Sequence, residues 1–139
     1  MYRNILVPID LAHGDIGEHI LKLARHVGGA DAKITILTVM DDIPAFVAAQ
    51  IPEEVVKTHH DDVRDSLVAL VKSTGTGATV AIRKGNPGTL ILDEAQKIGA
   101  DAIILGSHRP DYRDYLMGST ASRVVRHAQC SVIVDRSMA

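Results

Sequence analysis

Apolar positions along the chain fall into two alternating rhythms. Five short runs rich in Val and Ile, Asn4 to Asp10, Lys33 to Met40, Ala78 to Lys84, Asp101 to Gly106 and Ser131 to Asp135, predict strands. The first, fourth and fifth are continuously apolar over three or four residues, the pattern of strands covered on both faces in a parallel sheet. The third alternates, with Val80 and Ile82 on one side and Thr79, Ala81 and Arg83 on the other, which suits an edge.

Helical periods separate these runs. From Asp15 to Val27, Ile16, Ile20, Ala24 and Val27 recur at spacings of four and three until Gly28-Gly29 ends the pattern. The longest segment runs from about Pro52 to Ser73. It opens with proline in the first turn and Glu53-Glu54 against the helix dipole, and it aligns Val56, Val63, Leu67, Leu70 and Val71 before Thr74 to Gly77 stops it. A third starts at the capping pair Asn86-Pro87 and carries Leu90, Ile91, Ala95 and Ile98 up to Gly99. A fourth covers about Ser119 to Ala128, with Ala121, Val124, Val125 and Ala128 expected inward.

Strand and helix alternating with crossover-length connections predict an α/β fold: a doubly wound, five-stranded parallel sheet in a Rossmann-like three-layer sandwich. Residues 1–139 read as one domain, without internal repeat or linker. Asp41 to Gln50 is long enough to be a lid or binding loop.

Composition narrows the partners. Of 139 residues, 46% are hydrophobic and 23% charged, enough apolar material for a folded core and too much for a disordered chain. A formal net charge of −2 and 3% aromatics supply neither a positive field nor a stacking platform, which argues against nucleic acid. Cys130 is the only cysteine, so an intrachain disulfide and a thiolate-rich metal site are excluded. The stretch from Ile5 to Ile9 is too short for a secretory core. Ile43 to Pro52, as long an uncharged run as any in the chain, is about half a membrane span and holds two prolines. A soluble cytoplasmic protein is expected.

Ligands of open α/β sheets bind outside the carboxyl ends of the strands, where strand order reverses. That rim holds Asp10, Met40-Asp41-Asp42, Gly85-Asn86-Pro87 and Gly106-Ser107-His108-Arg109. The stretch Gly106 to Thr120 reads GSHRPDYRDYLMGST, a polar loop between a buried strand and an amphipathic helix. Gly106 frees the backbone to leave the strand. Gly118, Ser119 and Thr120 open a helix whose free N–H groups and dipole suit a phosphate. Taken singly, Gly106 reads as an ordinary strand end and Ser119 as a helix cap; together they point to an anion site. Asp10, at the end of a buried strand, is expected to need hydrogen bonds to offset desolvation, from a ribose hydroxyl, a cation's water or, equally, the helix it would cap.

Other chemistries drop out. There is no GxxxxGK[ST] and no GxGxxG after the first strand, and the third strand ends Arg83-Lys84-Gly85 where a phospho-acceptor receiver needs aspartate. The seven histidines show no ligand spacing, and His59-His60-Asp61-Asp62 reads as a solvated helix face. Cys130 reads as an inert, half-buried thiol, and Ser107-His108 lacks a nucleophile elbow.

The segments ILVPID, the central GNP, DAIILGS and the closing GST...VVRHAQCSVIV resemble the landmarks of the universal stress protein family, over essentially the whole chain. The nucleotide-binding branch of that family carries GxxG, nine residues, then G[ST]. This chain has Gly106, Arg109 in place of the second glycine, eight residues, then Gly118-Ser119, similar to a subgroup with SHRP in this loop. The resemblance implies ATP, or ADP or AMP, with Pro8, Ile9 and Asp10 beside adenine and ribose and Val39 offering backbone contacts to the base. Gly106, Gly118, Ser119 and Thr120 then surround the phosphates, with His108 and Arg109 on the same loop. Arg109 either grips a phosphate in a fork or narrows the path a glycine leaves open. Mg²⁺ is expected to arrive with the nucleotide.

The resemblance also implies a homodimer through the last strand, where Val132, Ile133 and Val134 would leave an apolar edge to pair with its copy. The leading expectation is a homodimeric ATP-binding stress-response module that signals to an unknown protein partner, with slow hydrolysis at most. Two alternatives stay open. One is a slow ATPase using Asp10 or His108. The other is a nucleotide-independent dimer whose pocket Arg109 and the shortened loop have closed.

Overall fold

The computed structural model of the chain describes residues 1–11, 14–40, 42–106 and 118–136. The elements follow the order β1 (Asn4–Pro8), α1 (Gly14–Gly28), β2 (Lys33–Met40), α2 (Ala45–Ala48), α3 (Glu53–Thr74), β3 (Thr79–Lys84), α4 (Pro87–Ile98), β4 (Ala102–Gly106), α5 (Ser119–His127) and β5 (Ser131–Asp135). The five strands form one parallel sheet in the order β3-β2-β1-β4-β5.

Period-2 alternation sorts the strand residues onto two faces. Ile5, Val7, Ile34, Ile36, Ile82 and Ile104 meet Ile20, Leu21 and Ala24 of α1 and Leu67 of α3. Leu6, Leu37, Ala81, Ile103 and Leu105 meet Ile91 and Ala95 of α4 and Val124 of α5. Right-handed crossovers dictate this division: the chain winds outward from β1 to β3 with α1 and α3 on one face, then back past β1 to β4 and β5 with α4 and α5 on the other. The doubly wound Rossmann-like fold read from the sequence is the one observed.

Local chemistry sets the helix ends. The Asn86 side chain accepts from Thr89 N at 3.0 Å with Pro87 in the first turn, as the sequence predicts, and Gly99 closes α4 in the left-handed region. Gly29, at φ +82, does the same after α1.

Three expectations need correction. β3 is an edge and so, as the resemblance implies, is β5; Val132, Ile133 and Val134 are only partly buried, so their continuous apolar run does not mark cover on both faces. Val125 faces solvent at 43% exposure because the one-turn stripe of α5 is centred on Val124. Within Asp41 to Gln50, residues 45–48 form the short helix α2, which the sequence reading took for loop. No helix among the described residues is long and apolar enough to cross a membrane.

Candidate functional site

Strand order reverses between β1 and β4, so the crevice nominated by the fold lies at their carboxyl ends. Pro8 closes β1, Ile9 follows it buried, and Asp10 is exposed. The exposure of Asp10 removes the desolvation part of the sequence argument, since the residue is not buried. Two bonds to β2 fix the Ile9 backbone. Ile9 N donates to Leu37 O at 2.9 Å, and Thr38 Oγ1 donates to Ile9 O at 2.9 Å. Thr38 itself is 6% exposed. The sequence reading missed it, although a hydroxyl on the buried face of an apolar strand was the available signal. Val39, next on β2, is half-buried and packs against the α4/α5 side of the core.

Gly106 ends β4 for a reason other than backbone freedom. Its φ is not positive, whereas a Cβ there would lie 2.8 Å from Ile16 Cγ2. Glycine at this position lets the start of α1 press against β4, directly beside the crevice. In a parallel crossover the helix runs opposite to its strands, so α5 begins at the same rim. Gly118 is its N-cap, with no side-chain cap, and no described atom lies within 4 Å of where a Gly118 Cβ would be. Ser119 is exposed and Thr120 half-buried. Asp10, Gly106 and Gly118 to Thr120 therefore share one end of the sheet. His108 and Arg109, with Ser107 and Asp41, lie outside the described residues.

Two side-chain pairs near the sheet were not foreseen. His19 Nε2 of α1 stands 2.9 Å from Asp135 Oδ2 at the end of β5, which is in register with Gly106. The partners are far apart in sequence, and no local pattern joins them. On the opposite face, Arg83 Nη2 of β3 lies 3.5 Å from Oε1 of the buried Glu94 in α4.

Two groups at the amino end of the sheet have shifted acidity. Asp101 accepts from Arg3 N at 2.8 Å and Asn4 N at 3.0 Å. Desolvation, the largest single influence, raises its pKa, but these backbone donors, its own N–H and the N-terminal charge together hold the carboxyl below its usual range. Desolvation first, and then Asp101, push the partly buried Cys130 thiol up, consistent with an inert role.

Two grooves open elsewhere among the described residues. One, of about 310 Å³, lies between the ends of α4 and α5 and includes Cys130. The other, of about 340 Å³, lies beside α3 and Lys84. His60, expected on a solvated face, is half-buried in this second groove, whereas His59 is exposed.

The profile of the universal stress protein family matches residues 1–136. Universal stress protein G of Escherichia coli O157:H7 is 25% identical over 142 residues, spanning 98% of this chain and 100% of that protein. The solved structure of the hypothetical protein MJ0577 shares the fold with a TM-score of 0.77 at 24% identity, covering 96% of this chain and 95% of that one. A universal stress protein solved in complex with cAMP shares it at 0.67, with 18% identity and 97% of both chains covered. With the profile matched from the first residue of β1 to the last of β5, the chain belongs to the universal stress protein family.

Proposed function

We propose that this chain is a regulatory module that binds an adenine nucleotide, ATP foremost, in the crevice between β1 and β4, hydrolysing it slowly at most. The observation that carries the reading is the convergence at one rim of the exposed Asp10, the bare strand end Gly106 and the start of α5 at its glycine N-cap, Gly118. These residues fit such a ligand. A helix start whose N-cap is glycine presents N–H donors to phosphate, and among the described residues nothing crowds the place of a Gly118 Cβ.

On this reading, Asp10 accepts from the ribose hydroxyls, and Pro8, Ile9 and the Val39 backbone border the base. Thr38 holds the Ile9 carbonyl, so that β1 presents these groups in a fixed register. Ser119 and Thr120 donate to the phosphates, with His108 and Arg109 on the loop side. Mg²⁺ accompanies the nucleotide and neutralises phosphate charge when bound. The complex of a similarly folded universal stress protein with cAMP supports an adenine ligand. Two copies pair through β5, an edge strand whose Val132, Ile133 and Val134 are partly exposed, and the dimer reports nucleotide status to a protein partner.

The test is to denature freshly purified protein, identify released nucleotide by mass, and titrate the apo chain calorimetrically with ATP, ADP and AMP plus Mg²⁺. Stoichiometric binding, weakening from ATP to AMP and falling about tenfold in Asp10→Ala or Ser119→Ala/Thr120→Ala, is expected. The absence of both nucleotide release and binding heat, with every nucleotide tried, would overturn the reading. Sedimentation of the same samples should give twice 14.9 kDa.

A further inference from the structure

The groove of about 340 Å³ beside α3 lies on the β3 side of the sheet, away from the β1/β4 crevice. Ala48, Ile51 and Val56 supply its apolar surface, and Lys57, His60 and Lys84 its basic one. Lys57 and His60 stand three residues apart on α3, and Lys84 ends β3, so two elements aim cations at one depression. Neither groove lysine forms an ion pair with a carboxylate among the described residues. Glu53 lines the same groove and pairs with neither.

The segment that supplies most of the groove's lining also exposes large apolar side chains. Phe46 is 73% exposed, Val55 56% and Ile43 39%, three of the six exposed large apolar side chains among the described residues. Phe46 is also the chain's only phenylalanine. α2, with the sequence AFVA, buries none of its residues. A single helical turn is marginal by itself, and no residue of α2 joins the buried core, although Val47 is half-buried; an apolar turn so exposed is the mark of a surface that something else covers.

We propose that this face docks an acidic segment of a partner protein, with a bulky apolar side chain seated on Ile51 and Val56 beside Phe46 and flanking carboxylates on Lys57 and Lys84. Charge selects this occupant. Glu53 and Glu54 in the first turn of α3 repel a continuous polyanion or an anionic lipid surface, whereas discrete carboxylates reach the lysines while avoiding them. Aromatic and apolar anchors surrounded by complementary charge are the usual composition of such contacts. The proposal does not rest on nucleotide binding, and its test uses no nucleotide.

The test selects peptides from a random phage-displayed library on the intact purified chain. It then measures the enriched peptides, synthesised and fluorescently labelled, against the chain and two variants, Phe46→Ala and Lys57→Glu/Lys84→Glu. All three side chains are exposed, so the variants should keep the fold, which circular dichroism checks; amide NMR shifts on the unmodified chain locate the site independently. Acidic peptides with an apolar anchor are expected, shifting Phe46, Ile51, Lys57 and Lys84 and losing about tenfold in affinity in each variant, with further loss in added salt. No enrichment, neutral or basic peptides, or affinities unchanged in the variants would overturn the proposal. So would a lower sedimenting mass in either variant, which would assign the face to a second copy. Loss of wild-type binding to phosphatidylserine vesicles in the variants, without peptide enrichment, would assign it to a membrane.

Discussion

A Cβ built on Gly106 would stand 2.8 Å from Cγ2 of Ile16, closer than real side chains approach one another. The strand end beside the candidate site is thus bare because α1 packs against it. Gly106→Ala should push Ile16 and Ile20 off β4 and cost about 1–3 kcal/mol, the range for overpacking a filled core. Urea titration should show a lower midpoint with an unchanged slope. Combining it with Ile16→Ala should cost less than the two changes added, because the second removes the clashing methyl. A Gly106→Ala variant as stable as the parent would show that α1 is free to withdraw.

Asp101 ties the start of β4 to the start of β1 by accepting from Arg3 N and Asn4 N. Desolvation opposes ionisation, yet the backbone donors prevail and its pKa lies below the usual value. The folded state therefore binds fewer protons than the unfolded one, and stability rises with pH through this window. The contribution is complete above the unfolded aspartate value of about 4 and is lost as pH falls through the lower, folded value. Asp101→Asn should remove that share of acid sensitivity and cost about 1 kcal/mol near neutrality, the usual worth of such bonds. Urea midpoints measured across the acid range, with parent and variant curves converging at the lowest pH, would check both statements.

The strands were legible because their apolar runs are short and sharply bounded. β1 and β4 carry the continuous pattern of central strands, and the Val80/Ile82 alternation marks β3 as an edge. β5 supported two readings, because Val132, Ile133 and Val134 are as apolar as a central strand while sitting at the rim of the sheet; hydropathy cannot distinguish burial in the sheet from an edge left to be covered. The same ambiguity hid α2, whose Phe46 and Val47 read as loop because one turn has no period to detect. At the candidate site, Asp10 and Gly118 to Thr120 were found through strand ends and helix starts, which are local signals. The Thr38 hydroxyl on Ile9, the His19–Asp135 pair and the fit of Gly106 against Ile16 join distant segments, and only the packed fold brings them together.

Arg25 is the clearest case of such a hidden role. Its guanidinium donates from Nη1 to Gly29 O at 2.7 Å, Ala30 O at 3.2 Å and Ala32 O at 2.8 Å, and from Nη2 to Thr76 O. One side chain thereby satisfies carbonyls of the turn between α1 and β2 and of the segment after α3. Arg25→Ala should cost about 2–3 kcal/mol, since hydrogen bonds from a charged donor are worth more than neutral ones and these carbonyls lose their partner. Arg25→Lys should recover less than half, because an ammonium cannot present a planar fork to two loops at once. Thermal and urea unfolding of the three proteins would rank them, and equal stability of Arg25→Lys and the parent would refute the fork argument.

Cys130 offers a readout of the amino end of the sheet that needs no unfolding. Desolvation, followed by the charge of Asp101, raises its pKa, so less of it is thiolate at about pH 8 than of a free cysteine. Alkylation by iodoacetamide, followed by mass, should be several-fold slower than that of glutathione under the same conditions. Asp101→Asn removes the second cause and leaves the first, so the rate should rise yet stay below that of the free thiol. Full urea unfolding removes both and should bring the rate to the free value. A folded parent that reacts as fast as glutathione would show that neither burial nor Asp101 governs this thiol.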